Sequence, residues 1–274
     1  MCLDNQVSSA LTEIEVVDVH NHVFPDRVAM RGAESIRDYY NLPLGGDGTL
    51  QTLLDDSSAF NVTHIVLCSA ALQPQKVHTA NEFVAARRTF DSRIVSLGTT
   101  HAGVDDQAAV FKQIEELGLS GVKIHPEFQG FAVDDRRLDS AWNEAIRLDI
   151  PVLFHIGDPK SDLSSPRRLY QVMERFPELK VIAAHMGGYQ AKVEAECLVG
   201  THCYFDTSQW FYYLSEQELL KRIEIHGIEK IMYGCDYPLN VPSDEIRRLY
   251  NTHLNLCDKQ KIFCENAKRL FKLK

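Results

Sequence analysis

Two histidines with metal-ligand spacing, His20 and His22, end the β-branched run Val16–His22 just before Pro25. If this run is a strand, residues two apart project to the same face, so Asp18, His20 and His22 share one side. Two imidazoles on a rigid strand end can bind one divalent cation from the same direction. An isolated pair of this kind is more often structural, so the rest of the chain must decide between the two interpretations.

Further ligand-type residues end later apolar runs. Lys123 and His125 end GVKIH, His155 ends IPVLFH, His185 ends KVIAAH, and Asp236 follows KIMYG after one cysteine. Structural histidines have no reason to gather at strand ends, so this set favours a metal site over two satisfied histidines.

The chemistry follows from the ligand types. Neutral imidazoles and one carboxylate suit zinc, and also manganese, iron or cobalt. A catalytic ion keeps a position for water, whose pKa it lowers towards ~7. Asp236 is then the candidate base, and His185 is either another ligand or the group that polarises a substrate carbonyl. The candidate substrate-binding residues are Lys123, His125, Arg27 and Gln129.

Eight short β-rich runs alternate with helical patterns and must position these residues. The runs cover residues 16–22, 63–70, 93–99, 121–125, 150–155, 180–185, 202–206 and 230–234. Apolar runs of this kind are typical of parallel strands buried on both faces. We therefore predict an α/β fold of one domain over residues 1–274, a (β/α)8 TIM barrel with its active site at the C-terminal strand ends.

The alternative fold is a doubly wound open sheet. Its usual nucleotide-binding signatures, Gly-x-Gly-x-x-Gly and the P-loop, do not occur in the sequence. Within the barrel we predict a long loop over 24–48 with a flexible glycine-rich segment at 45–48, and a helix over 189–198 after the sixth strand.

Composition narrows the function classes. The 274 residues carry a net charge of -9 and no basic stripe, which argues against nucleic acid and anionic membranes as partners. No apolar stretch is long enough to span a bilayer, and the first residues lack the pattern of a signal peptide. Seven scattered cysteines indicate reduced thiols. We expect a cytoplasmic protein that binds a small-molecule substrate, with a homodimer as one option.

Several motifs together resemble the amidohydrolase superfamily. They are Asp18-x-His20-x-His22-x-x-Pro25, His155 after the fifth strand, His185 followed by Met-Gly-Gly, Tyr-Gly-x-Asp236-Tyr-Pro, and the ending Glu-Asn-Ala-x-x-Leu-Phe at 265–271. The chain is most similar to the amidohydrolase-2 branch, which includes the aminocarboxymuconate-semialdehyde decarboxylase-like proteins.

The resemblance implies a divalent metal on His20, His22, His155 and Asp236, with His185 beside it as an acid/base or substrate-orienting residue. It implies one ion rather than two, and we expect zinc, with manganese, iron or cobalt as alternatives. Lys123 departs from the decarboxylase-like pattern. Some relatives in the superfamily carry a carboxylated lysine there, whereas Lys123 could instead neutralise a substrate carboxylate or pair with buried Asp18 or Asp206.

Three functions remain open at this stage. The first is metal-dependent hydrolysis of a small ester, lactone or amide by a metal-activated water. The alternative is a metal-dependent, non-redox decarboxylase or hydratase of a small carboxylated substrate. A third is a non-catalytic metal-binding protein that kept the barrel. The barrel itself does not choose among them, because a fold does not fix its chemistry.

Overall fold

A computed structural model describes residues 13–274, and the predicted absence of a signal peptide concerns residues outside that range. Eight parallel strands follow one another around a single sheet in sequence order. They are β1 Val16–His22, β2 Val62–Cys68, β3 Ile94–Thr99, β4 Val122–Ile124, β5 Val152–Phe154, β6 Val181–Ala183, β7 Tyr204–Asp206 and β8 Ile231–Met232. The predicted (β/α)8 barrel is confirmed.

Helices connect the strands and cover the barrel. They are α1 Ala29–Tyr40, α2 Leu50–Ser57, α3 Val77–Arg87, α4 Gln107–Glu116, α5 Pro126–Gln129, α6 Asp139–Arg147, α7 Pro166–Arg175, α8 Glu216–His226, α9 Pro242–Tyr250, α10 Leu256–Gln260 and α11 Asn266–Phe271, with a π-helical turn at Lys261–Glu265. None of the described helices is long and apolar enough to cross a membrane.

The barrel closes between its first and last strands through backbone hydrogen bonds. Val19 N donates to Tyr233 O at 3.0 Å, Asp236 N donates to His20 O at 2.7 Å, and His22 N donates to Tyr237 O at 2.8 Å. The segment that follows β8 is therefore held alongside the end of β1, and Asp236 is placed directly next to the histidine pair.

His20 and His22 share one face as predicted, but an irregularity in β1 separates Asp18 from them. The pairing of β1 with β2 shifts between Asp18 and Asn21, where the first strand has one residue more than the second. Such a bulge breaks the two-residue alternation of side chains. The Asp18 carboxylate accepts hydrogen bonds from the backbone N–H groups of His20 at 3.3 Å and Cys235 at 3.0 Å. Asp18 therefore stabilises both the end of β1 and the segment after β8, where the barrel closes.

Two local predictions were wrong. The long loop predicted over 24–48 contains α1, in which Ala29, Ala33, Ile36 and Tyr40 recur at helical spacing that the prediction overlooked. The helix predicted over 189–198 is replaced by a short 3-10 turn at Glu194–Cys197. The N–H groups of Tyr189 and Gln190 donate to the carbonyls of Ile156 and Gly157, which holds the start of this segment against the turn after β5.

The glycine-rich segment at 45–48, predicted to be flexible, packs closely against the turn after β8. A Cβ on Gly46 would lie 2.2 Å from Cε2 of Tyr237, so only glycine fits there. The Tyr237 hydroxyl accepts a hydrogen bond from Gly48 N at 3.1 Å and lies 3.0 Å from the Thr49 carbonyl oxygen. These glycines permit close approach of the chain to an aromatic ring.

Candidate active site

Three side chains meet where the barrel closes. His20 Nε2 and His22 Nε2 lie 3.2 Å apart, and Asp236 Oδ1 lies 3.6 Å from the first and 3.7 Å from the second. Donor atoms about 2.1 Å from one tetrahedral ion lie roughly 3.4 Å from each other. The residue types and the separations of this triad therefore fit a divalent cation. Asp236 Oδ2 accepts a hydrogen bond from Gln209 Nε2 at 3.0 Å, which leaves Oδ1 directed at the histidines.

Asp206, at the end of β7, orients two of the histidines. Its Oδ2 lies 3.0 Å from His20 Nδ1, and its Oδ1 accepts from the backbone N–H of His185 at 3.0 Å. The same Oδ1 accepts from the hydroxyl of Ser208, which also lies 2.8 Å from His185 Nδ1. A proton on His20 Nδ1, shared with Asp206, keeps the lone pair on Nε2 available to a cation.

Several of these residues occupy an unusual backbone conformation. His185, Gln209 and Asp236 have φ values of 59°, 61° and 64°, in the left-handed region that side chains other than glycine seldom adopt. Each such residue costs of order 1–3 kcal/mol and persists only where its surroundings hold it. The turns after β6, β7 and β8 are therefore fixed by contacts around the site.

Lys123 is fully buried beside the triad. Its Nζ lies 2.9 Å from His20 Nε2. Burial lowers the pKa of the Lys123 ammonium, although Cys68, Asp236 and Asp206 nearby act in the opposite direction. Of the roles predicted for Lys123, the structure places it against a histidine of the triad rather than in an ion pair with Asp18 or Asp206.

Burial also shapes the protonation of the triad. It lowers the pKa values of His20 and His22 well below the ordinary value, and the charge of Lys123 adds to that effect. It raises the pKa of Asp236 to about 6. The pKa of His185 falls to about 3, again chiefly because of burial. The histidines are thus neutral at pH 7, which is the form that ligates metals.

His155 is not part of the triad. Its Nδ1 lies 3.0 Å from His185 Nε2, whereas its Nε2 faces the other way and lies 3.1 Å from the hydroxyl of Tyr40 on α1. That hydroxyl also lies 3.2 Å from His125 Nε2. His155 lies near the carboxylates of Glu127 and Asp158 instead, with its Nε2 4.0 Å from Asp158 Oδ2. Sequence reasoning missed Tyr40 because it lies on the helix that the sequence did not predict.

A cavity of about 800 Å³ opens above the triad. Its lining includes His20, His22, His125, His155, His185 and Asp236. The walls are largely apolar and aromatic, with Phe24, Ile36, Leu72, Phe83, Phe128 and Leu239 among them. Within the described range the lining contains one lysine, Lys76, and no arginine. The volume and polarity suit a small, mostly apolar molecule with polar groups at one end.

Three of the predicted substrate-binding residues, Lys123, Arg27 and Gln129, lie outside this lining. Arg27 is exposed on the turn Asp26–Val28. Gln129 is buried, and its side chain accepts from His125 N at 2.9 Å and donates to Thr100 O at 2.7 Å. Gln129 therefore fixes the backbone of His125, which does line the cavity.

The sequence model of the amidohydrolase family matches residues 17–273, which is nearly the whole described chain. The chain belongs to the amidohydrolase family. The predicted resemblance to the amidohydrolase superfamily is confirmed, and the motifs at residues 18–25 and 233–238 lie inside the matched region.

A curated relative is a gamma-resorcylate decarboxylase from Polaromonas sp. strain JS666, 24% identical over 218 residues that cover 58% of this chain. The match spans 64% of that relative's length.

Solved structures with the same fold include a TIM-barrel protein from Bordetella bronchiseptica, with a TM-score of 0.78 and 15% identity over 95% of this chain and 99% of the other. Another is a dihydroxybenzoic acid decarboxylase from Polaromonas sp. JS666, solved with manganese and 2-nitroresorcinol. Its TM-score is 0.72 and its identity 17%, over 95% of this chain and 97% of the other.

The named activities among these proteins are decarboxylations. They agree with the alternative function drawn from the sequence better than with hydrolysis, the function that the sequence placed first. Manganese in the second solved structure shows which ion that protein held. Zinc stays a prediction for this chain.

Proposed function

We propose that this chain is a divalent-metal-dependent, non-oxidative decarboxylase of a small aromatic carboxylic acid. The observation that carries the proposal is the triad of His20, His22 and Asp236 at the base of a cavity with largely apolar and aromatic walls. The decarboxylases among the compared proteins support the same reaction class. A hydroxylated benzoate fits both the walls and the polar base.

The metal would be held by His20 Nε2, His22 Nε2 and Asp236 Oδ1. When bound, it supplies positive charge that holds substrate oxygens and stabilises negative charge during the reaction. The apolar walls bind the ring and exclude water from it. Asp206 fixes His20 and the backbone of His185 in place.

In the proposed reaction the bond between the ring carbon and the carboxylate breaks, and carbon dioxide leaves. The electron pair of that bond stays on the ring carbon, which then takes one proton. His185 lines the cavity and is the residue proposed to carry that proton, once the negative charge of the bound substrate has raised its lowered pKa, with Ser208 orienting its Nδ1. No oxidant or reductant is needed, because the electrons of the broken bond remain in the product.

The test is a substrate panel with the Mn²⁺-loaded protein. It includes 2,6-dihydroxybenzoate and other hydroxybenzoates, together with a lactone and an aryl amide. We expect carbon dioxide release only from the benzoates and, in D₂O, one deuterium at the former carboxylate position. Hydrolysis of the lactone or amide without carbon dioxide release would overturn the proposal in favour of the hydrolase.

A variant separates catalysis from metal binding. His185→Asn keeps a side chain that can bond to Ser208 but removes the imidazole. We expect bound metal to be unchanged and turnover to fall by roughly 10²–10⁴-fold, the range typical of a lost general acid or base. Unchanged turnover would show that another group protonates the ring.

A further inference from the structure

The cavity above the triad is larger than a single substituted ring requires. Its volume of about 800 Å³ lies in the upper part of the range for pockets that hold drug-sized ligands. The triad and His185 lie at its base, where the strands of the barrel end. A hydroxybenzoate held at that base leaves the outer part of the cavity unfilled.

Two helices form the walls of this outer part, which we call the outer cavity. One wall is a face of α1 and of the turn before it, made of Val28, Gly32 and Ile36. The other is a face of α3 and of the turn before it, made of Lys76, Thr79, Ala80 and Phe83. Residues three or four apart lie on the same side of a helix, so each helix presents one face to the outer cavity.

Contacts at both ends hold α1 in place as a wall. Near its start, a Cβ on Gly32 would lie 3.1 Å from Cγ of Phe24, so the glycine lets the helix pack closely against that ring. At its end, the Tyr40 hydroxyl lies 3.1 Å from His155 Nε2 and 3.2 Å from His125 Nε2. The outer cavity is therefore formed before any ligand binds.

Polarity divides the outer cavity into an interior and a rim. The half-buried side chains are apolar, and they are Val28, Ile36, Ala80 and Phe83. The polar side chains of the same segments are exposed at the opening, and they are Ser35, Gln73, Lys76 and Thr79. Leu72 adds an apolar side chain that is 61% exposed and also lines the cavity. Apolar surface of this kind favours an apolar group that displaces water from it.

We propose that the substrate is an aromatic carboxylic acid with an apolar substituent several carbons long, and that the outer cavity binds this substituent. The inference rests on the proposed function, which places the carboxylate and the ring at the base of the cavity. A substituent meta or para to the carboxylate is directed away from the triad and can enter the space between α1 and α3. Ile36 and Phe83, on opposite walls, then determine the specificity for the substituent, while the triad determines the reaction.

The test is a series of 2,6-dihydroxybenzoates without a substituent or with a methyl, propyl or pentyl chain meta or para to the carboxylate. Calorimetry with Mn²⁺-loaded protein measures the dissociation constants of the resorcinols that bear the same chains, and carbon dioxide release measures turnover of the acids. We expect the dissociation constant to fall by about threefold for each added methylene in at least one of the two series, the order expected for burying a CH₂ group. The gain should level off once the chain reaches the polar rim.

Two variants change opposite walls of the outer cavity. Ala80→Phe fills the interior from α3, and Ile36→Ser makes the α1 wall polar. In each variant we expect the ratio of dissociation constants between the unsubstituted and the pentyl-bearing resorcinol to fall at least tenfold. Ala108→Phe is the matched control, since it makes the first of these changes at an exposed alanine of α4 outside the lining. The control should keep the wild-type ratio.

Circular dichroism and thermal melting check that each variant folds. Dissociation constants that do not change along either series in the wild-type protein would overturn the inference, whether or not the variants fold. An unchanged ratio in a folded Ala80→Phe or Ile36→Ser protein would overturn it as well. Failure of the proposed function gives a different result, because resorcinol binding would then still depend on chain length while none of the acids releases carbon dioxide.

Discussion

Asp206 Oδ2 lies 3.0 Å from His20 Nδ1, and through this contact Asp206 decides which nitrogen of the ring faces Asp236. The carboxylate is fully buried at the end of β7 and also accepts from the backbone N–H groups of His185 and Ser208. One side chain thus fixes a ligand from β1 and the turn after β6. The contribution of Asp206 to metal affinity should therefore be measurable without substituting any of the metal ligands.

Asp206→Asn should weaken metal binding at the triad by about 10–100-fold, the usual effect of removing a carboxylate that supports a ligating histidine. The amide keeps the size of the side chain but loses the charge that holds the proton on His20 Nδ1. Isothermal titration with Mn²⁺ measures the change. Asp105→Asn alters an exposed aspartate and should leave the affinity as it is. Equal affinities in both variants would contradict a supporting role for Asp206.

Metal affinity at the triad should fall as the pH drops through about 6. The pKa of Asp236 is raised to about 6 by burial, so a proton competes with the ion below that value. His20 and His22 do not compete there, because their pKa values are lowered. We expect the dissociation constant to rise by about tenfold per pH unit below pH 6 and to level off above pH 7.

The measurement is a Mn²⁺ titration of the wild-type protein between pH 5 and pH 8. A steeper slope, corresponding to two or more protons, would mean that an imidazole titrates as well. Equal affinity at pH 5 and pH 7 would show that Asp236 is not a ligand.

Glu245→Gln should stabilise the protein at alkaline pH and have little effect at acidic pH. Glu245 is buried in the first turn of α9, and burial raises its pKa to about 8 from an ordinary value of 4.5. The neutral acid therefore favours the folded state. That contribution is complete below about 4.5 and is lost progressively as the pH rises to about 8.

Thermal melts at pH 5 and pH 9 test this effect. We expect the melting temperature of Glu245→Gln to exceed that of wild type by about 2 °C or more at pH 9, on the basis of roughly 1 kcal/mol. The two proteins should be nearly equal at pH 5. Glu265→Gln serves as a control on an exposed carboxylate. A lower melting temperature at pH 9 would show that the ion pair of Glu245 with Arg248 outweighs burial.

Tyr237→Phe should loosen the segment at 45–48 without altering the ligands of the triad. The change removes the hydroxyl that accepts from Gly48 N and leaves that N–H without its partner, at a cost of about 1–3 kcal/mol. Hydrogen exchange of the Gly48 amide should become faster, while Mn²⁺ stoichiometry stays the same. Tyr170→Phe, at a more exposed tyrosine, should change neither. Unchanged exchange at Gly48 would contradict this role.

The sequence predicted the parts of the site that depend on local pattern. His20, His22 and Asp236 follow apolar runs, and the barrel places the ends of those runs together, so the triad could be found without coordinates. Asp206 also ends a strand, but its supporting role depends on a contact with His20 across the barrel. Tyr40 lies on a helix that the prediction overlooked, and its contacts with His125 and His155 depend on how that helix packs over the barrel.

For His155, the strand-end pattern predicts the position of the residue but not the orientation of its ring. The sequence placed it at the mouth of the barrel, and the structure agrees, since it follows β5 and lines the cavity. Which group its Nε2 joins depends on Asp158, three residues later, and on Tyr40 from α1. Ring orientation of this kind is set by long-range neighbours that spacing in the sequence does not encode.

The closure of the barrel has a consequence for biosynthesis. The triad is built from the first strand and from the turn after the last one, so a nascent chain that lacks its eighth strand has only two of the three ligands. A metal that binds only the closed barrel draws the folding equilibrium towards finished molecules by mass action. Metal supply in the cell would then govern how much of the newly made protein survives quality control.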